Sequence, residues 1–213
     1  TEMLFFHGCK DAKPYFCGNM HQLEPYFRWR DFYTAEEDER SPFFGRTYSE
    51  FEFSLRLYNY FLHPQWDEFG SSTLYGKILF VDYDEQYALI ELIGEWNDTL
   101  HNDIMYLKRN VVDPLMKHGI VKFVFFCENV LNFHASEDDY YAEWAEEVGE
   151  ENGWIVLINV RQHVEEELSA ARLQHYLNFG EQYNNIIWHP QKPQTVFLLV
   201  QALVDGRIRQ IAG

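Results

Sequence analysis

Residues 74–82 read LYGKILFVD and residues 87–96 read YALIELIGEW, joined by the polar stretch Tyr83-Asp84-Glu85-Gln86. Two apolar runs of strand length around a short polar reversal predict a β-hairpin. Downstream, Leu100, Ile104, Leu107, Val111 and Leu115 recur at three- and four-residue steps. That spacing predicts an amphipathic helix from about Asp98 to His118-Gly119, capped by Asn97 or Asp98 and kinked at Pro114. Residues 121–127 (VKFVFFC) and 154–160 (WIVLINV) predict buried strands. Residues 136–147, 164–177 and 195–204 predict helices, the first with Ser136 in a capping position, and residues 186–188 a short edge strand. Strands alternating with helices imply an α/β fold, a mixed sheet with parallel crossovers.

Upstream of the hairpin the texture changes. Residues 1–69 hold half of the aromatic rings in a third of the length, with irregular periodicity up to about Arg46. Phe51, Phe53, Leu55 and Leu57 then alternate with Glu50, Glu52, Ser54 and Arg56. This alternation predicts a half-buried strand over 48–62, although Phe51, Leu55, Tyr58 and Leu62 also fit a helical spacing. The expected organisation is an aromatic-rich N-terminal extension, residues 1–69, packed on a main domain, residues 70–213.

The chain of 213 residues carries 34 acidic against 17 basic side chains, a formal net charge of −17. A field of that sign repels phosphate backbones and anionic headgroups, which argues against nucleic-acid and membrane-surface partners. No apolar run is long enough for a membrane span, and residues 1–7 lack the features of a signal peptide. Cys9, Cys17 and Cys127 are odd in number and fit no zinc-knuckle spacing, which points to a reducing compartment and a cytoplasmic protein. No glycine-rich phosphate loop is present, so no nucleotide cofactor is expected. No metal is assigned.

In sheets of this type, ligands and partners gather beyond the carboxyl ends of the parallel strands. Three segments should meet there, 95–98, 128–134 and 159–163. They supply the candidate binding residues Glu95, Trp96, Asp98, Glu128, Asn129, Asn132, His134, Ser136 and Arg161. His134 could act as a general base if Glu95, Glu128 or Asp98 fixed its tautomer. The alternative is a loop histidine bonding backbone carbonyls. Ser136 stands two residues away, poor spacing for a nucleophile, and no G-x-S-x-G elbow surrounds it. Asp98 and His101 alone have a helical metal-ligand spacing.

The stretch Phe125-Phe126-Cys127-Glu128-Asn129-Val130-Leu131-Asn132-Phe133-His134-Ala135-Ser136, set in this order of elements, resembles the STAS family, the domain of anti-sigma-factor antagonists, over residues 74–177. The resemblance implies a STAS-like topology and places the family's regulatory serine at or near Ser136. His134 stands in place of the family's Asp, and Glu137-Asp138-Asp139 replaces its small glycine-containing sequence. The implied function is a non-catalytic regulatory or protein-interaction module with a protein partner or self-association. Related lipid-carrier domains share the topology. A small-molecule or lipid-binding domain, with rings of the extension roofing an apolar pocket, therefore stands as an alternative. A hydrolase or metal-dependent enzyme using His134 and nearby carboxylates is the third.

Overall fold

The computed structural model describes residues 24–49 and 51–212. Cys9, Cys17 and the irregular start of the extension lie outside them. In place of one strand over 48–62, the chain forms a small hairpin of β1 (Arg56–Leu57) and β2 (Tyr60–Phe61). Arg56 pairs with Phe61 and Leu57 with Tyr60. The reversal falls at Tyr58-Asn59, where Tyr58 takes a left-handed φ of 54°. A tight turn inside the alternating stretch makes one long strand impossible.

The predicted hairpin is β3 (Leu74–Asp82) and β4 (Tyr87–Asn97). Two further strands, β5 (Lys122–His134) and β6 (Trp154–Ile158), complete a sheet of order β3-β4-β5-β6. The β3/β4 pair is antiparallel, and the β4/β5 and β5/β6 pairs are parallel. This is the mixed α/β sheet with parallel crossovers that the sequence implies.

The first crossover is segmented rather than one kinked helix. It runs α1 (Asp98–His101), α2 (Asp103–Leu107), a π turn over Lys108–Val112, and α3 (Asp113–Met116). Asn97 caps α1, its Oδ1 accepting from Leu100 N at 2.9 Å. Asn102 separates α1 from α2 with a left-handed φ of 53°, which asparagine tolerates. Pro114 cannot donate to the Asn110 carbonyl as an α-helix would require. The widened turn just before it accommodates the missing bond and leaves the proline in the first turn of α3.

Helix α4 (Asp139–Glu150) follows β5, and α5 (Gln162–Ala170) follows β6. The helix predicted from Ser136 thus starts three residues later, with Asp138 at its N-cap. Residues 173–175 form a short 3-10 turn rather than the end of α5. Residues 186–188 form no strand, and α6 (Pro193–Ala212) is longer than predicted.

Strand alternation sends neighbouring residues to opposite faces. Ile78, Ile90, Phe123, Phe125 and Leu157 pack with Leu107, Val111, Trp144 and Val164 of the crossover helices. Leu89, Val124, Phe126 and Val156 pack with Val196, Phe197 and Val200 of α6. The sheet is therefore covered on both faces. Segment 24–46 enters both layers: Ala35 and Phe43 join the first, Trp29 the second. Cys127 is buried among apolar side chains, as its sequence context implies.

Candidate functional site

The segment expected to be a loop, residues 128–134, is instead the second half of β5. It stays paired with the end of β4: Ile93 opposes Asn129, Glu95 opposes Asn132, and Asn97 opposes His134. Two register shifts, between Glu91 and Ile93 and between Gly94 and Glu95, absorb the irregularity. Gly94 has φ +124°, and a Cβ there would lie 2.0 Å from the Thr73 carbonyl oxygen. The bulge lets Glu95 N donate to that oxygen at 2.9 Å. Amide side chains read as loop formers therefore sit on a strand. The continuous backbone ladder and the buried Val130 and Phe133 outweigh their turn preference.

The nine candidate residues divide into three groups. In the first, Asn132 Nδ2 donates to Glu95 Oε1 at 2.8 Å, and Tyr58 OH donates to the same oxygen. The β1–β2 turn thus folds over this pair.

The second group joins three elements. Glu128 Oε1 accepts from Asn159 Nδ2 at 2.8 Å and from Trp188 Nε1. Arg161 Nε donates to the Glu128 carbonyl at 2.9 Å. Asn129 Nδ2 donates to Glu91 Oε1 at 3.4 Å, and Tyr26 N donates to Glu91 Oε2 at 2.8 Å. Glu91 is buried, and desolvation, reinforced by the nearby Glu128 charge, pushes its carboxyl up to about 7. Asn159 also bonds the backbone of Ile186 in both directions, at 2.9 Å as donor and 2.8 Å as acceptor. It does by side chain what a strand at 186–188 would do by backbone.

The third group lies on the crossover-helix face. Asp98 is buried and accepts from Trp96 Nε1 at 3.1 Å, Ile104 N at 2.8 Å and Tyr141 OH at 2.6 Å. Burial pushes its carboxyl up to about 6. Trp96 is itself buried against Phe133 and Tyr141. The exposed Ser136 borders a cleft of ≈ 280 Å³ with Asp98, Leu100 and Tyr140. His134 is exposed at the end of β5. Glu95, Glu128 and Asp98, the carboxylates expected to orient it, are bonded to other groups.

The rim is thus real between segments 128–132 and 159–161, and between 95 and 132. Asp98, Trp96 and Ser136 form a separate set. Sequence reasoning missed Glu91 and Tyr58 as members; Asn159 lay in the predicted rim segment 159–163, but neither it nor Trp188 stood among the nine candidates. Glu91 did carry a signal, as a single charge inside the apolar run ALIELI.

Among the described residues, no group of three His, Cys, Asp or Glu side chains is placed to hold a metal ion, and no helix is long and apolar enough to cross a membrane. No protein-family model and no curated protein matches the chain. Among solved structures, the chain is similar to a candidate anti-sigma-factor antagonist from Thermotoga maritima, at 16% identity and a TM-score of 0.36. The likeness covers 53% of this chain and 86% of that one.

Proposed function

We propose that the chain is a non-catalytic regulatory or protein-interaction module of STAS-like build. In this reading the main domain begins near residue 70, and the aromatic segment before it is a contact surface. Exposed rings carry the reading. Phe27, Phe32 and Phe44 are each 53% exposed, Tyr58 59% and Phe51 86%. The same segment buries Trp29 and Phe43 almost completely. Rings left open beside rings so well buried favour contact with a partner, since aromatic side chains concentrate in interface cores. The acid–amide bonds of the rim agree with carboxylates that fix backbone rather than move protons. The net charge of −17 favours a partner with a basic rim.

The test is site-specific photo-crosslinking in the native cell. A photoreactive side chain at position 51 should give one discrete adduct, a partner or a second copy, and the same probe at the exposed Glu181 should give none. Absence of adducts from positions 27, 44 and 51, with a sedimentation coefficient independent of concentration, would count against the reading.

A small-molecule ligand is the second reading. It is favoured by a cleft of ≈ 610 Å³ between Phe43, Arg46, Phe69 and Arg109, a volume within the usual range of ligand sites. Native mass spectrometry of the purified chain should then show a co-purifying species, and a bare protein mass sets this reading aside.

A further inference from the structure

Away from the rim, three side chains of complementary chemistry meet at the outer edge of β3. Asp67 and Gly76 form an isolated antiparallel bridge, with N–H···O distances of 2.8 and 3.0 Å. The bridge brings Lys77, the next residue of β3, beside Asp67. Lys77 Nζ lies 3.3 Å from Asp67 Oδ2 and 3.6 Å from Glu36 Oε2. Asp67 is wholly buried and Lys77 is 6% exposed. Nζ, Oδ2 and Oε2 are all shielded from solvent, and none of the three is in a hydrogen bond.

That is an odd arrangement for an ion pair. Buried charges repay their desolvation only when the geometry is good and every remaining donor and acceptor is bonded. The other oxygen of the same carboxyl is well served: Asp67 Oδ1 accepts from Tyr48 OH at 2.7 Å and from Arg46 Nη1 at 3.1 Å. The Tyr48 ring lies 3.9 Å from Lys77 Nζ. Burial raises the Asp67 carboxyl above the usual carboxylate range, against the opposing pull of Lys77, Tyr48 and Arg46. One carboxyl oxygen thus faces an amine, with donors fixed on the oxygen away from that amine.

We propose that Lys77 and Asp67 condense into an intramolecular isopeptide bond, with Glu36 as the proton carrier. Transfer of one proton from the ammonium to the carboxylate gives a neutral amine and a neutral acid. The Nζ lone pair attacks Asp67 Cγ, and the new C–N bond places negative charge on Oδ1. Tyr48 OH and the Arg46 guanidinium already point at that oxygen and stabilise the charge. Glu36 takes a proton from Nζ and delivers it to Oδ2. The C–Oδ2 bond breaks, Oδ2 departs as water, and the amide remains. Amine and acid become amide and water, with no oxidant, metal or cofactor. Fixed proximity in a dry site supplies the driving geometry.

Intact-mass measurement of the purified full chain tests this directly. The wild-type protein should be lighter than its sequence by one water. Trypsin should not cut after Lys77, and fragment spectra should join residues 67 and 77. Asp67→Ala and Lys77→Arg should each restore the full sequence mass, and Glu36→Gln should slow or abolish the loss. A wild-type protein at full mass and cleaved after Lys77 overturns the proposal. So does a water loss that persists in Asp67→Ala. Should a variant fail to fold, the wild-type fragment map alone decides.

Discussion

Glu91 is a charge placed where the apolar run of β4 offers no water, and its chemistry follows from that position. Its ordinary value is 4.5, and desolvation, then the neighbouring Glu128 charge, raises it to about 7. Between those values the folded chain holds a proton that the unfolded chain has released. Unfolding therefore sheds protons, and stability falls as pH rises. The contribution is complete below pH 4.5 and is lost as pH passes through 7, to the extent of roughly 3 kcal/mol. Asp98, raised by burial to about 6, acts in the same direction over a lower window. Glu91→Gln keeps an acceptor for Tyr26 N and cannot ionise. Urea midpoints measured from pH 5 to pH 8 should therefore decline less in Glu91→Gln than in the wild type, and the variant should be the more stable at pH 8. Parallel profiles would remove Glu91 from the account. Gly94 makes a second residue-scale case. At φ +124°, with Thr73 O in the way, Gly94→Ala should lose about 2–4 kcal/mol in the same denaturation assay.

Elements were legible wherever burial alone dictated them. The 74–96 hairpin and the cores of β5 and β6 are apolar runs with no competing solution, and their pairing follows. Legibility failed where a side chain substitutes for backbone or where a partner overrides propensity. ENVLNFH looks like a loop because its amides favour turns, yet β4 continues alongside and holds it in register to His134. The alternation over 48–62 concealed a reversal at Tyr58, a residue with no preference for left-handed backbone. Lys108 was unreadable as an interior residue. It is fully buried in the π turn, and its Nζ lies 2.9, 3.2 and 2.7 Å from Asp113, Glu143 and Glu147. Asp113 is five residues on, but Glu143 and Glu147 come from α4, distant in sequence, so no local pattern announces the full set. Lys108→Met should cost about 1–3 kcal/mol in chemical denaturation, because Asp113 and Glu143 then share only the exposed Arg109 and Glu147 loses its bond to Lys108. Asn159 makes the same point at the edge of β6. Asn159→Ala leaves the Ile186 N–H and carbonyl and the Glu128 carboxylate each short of a partner. A loss of about 2–3 kcal/mol should appear in thermal or chemical denaturation.

At the scale of the whole molecule, the sequence suggests an appendage followed by a domain, and the packing gives that boundary a physical test. Trp29 is 2% exposed, its ring set against Phe126 and Trp188, and its Nε1 donates to the Gln191 carbonyl at 2.9 Å. Phe43 is 2% exposed within the opposite layer. Segment 24–46 therefore contributes to the cores on both faces of the sheet, which a detachable arm would not do. Removing either ring should cost about 3–5 kcal/mol, the usual range for emptying a buried aromatic site. That is comparable with much of the total stability of an ordinary domain. If segment and sheet form one cooperative unit, Trp29→Ala and Phe43→Ala each lower a single unfolding transition that far-UV and tryptophan signals follow together. A chain starting at residue 70 then exposes both faces and either fails to fold or aggregates. Should the truncated chain instead melt cooperatively near the wild-type temperature, the first 69 residues are an independent cover. The exposed rings between Phe27 and Tyr58 would then belong to a segment free to leave the sheet when a partner arrives.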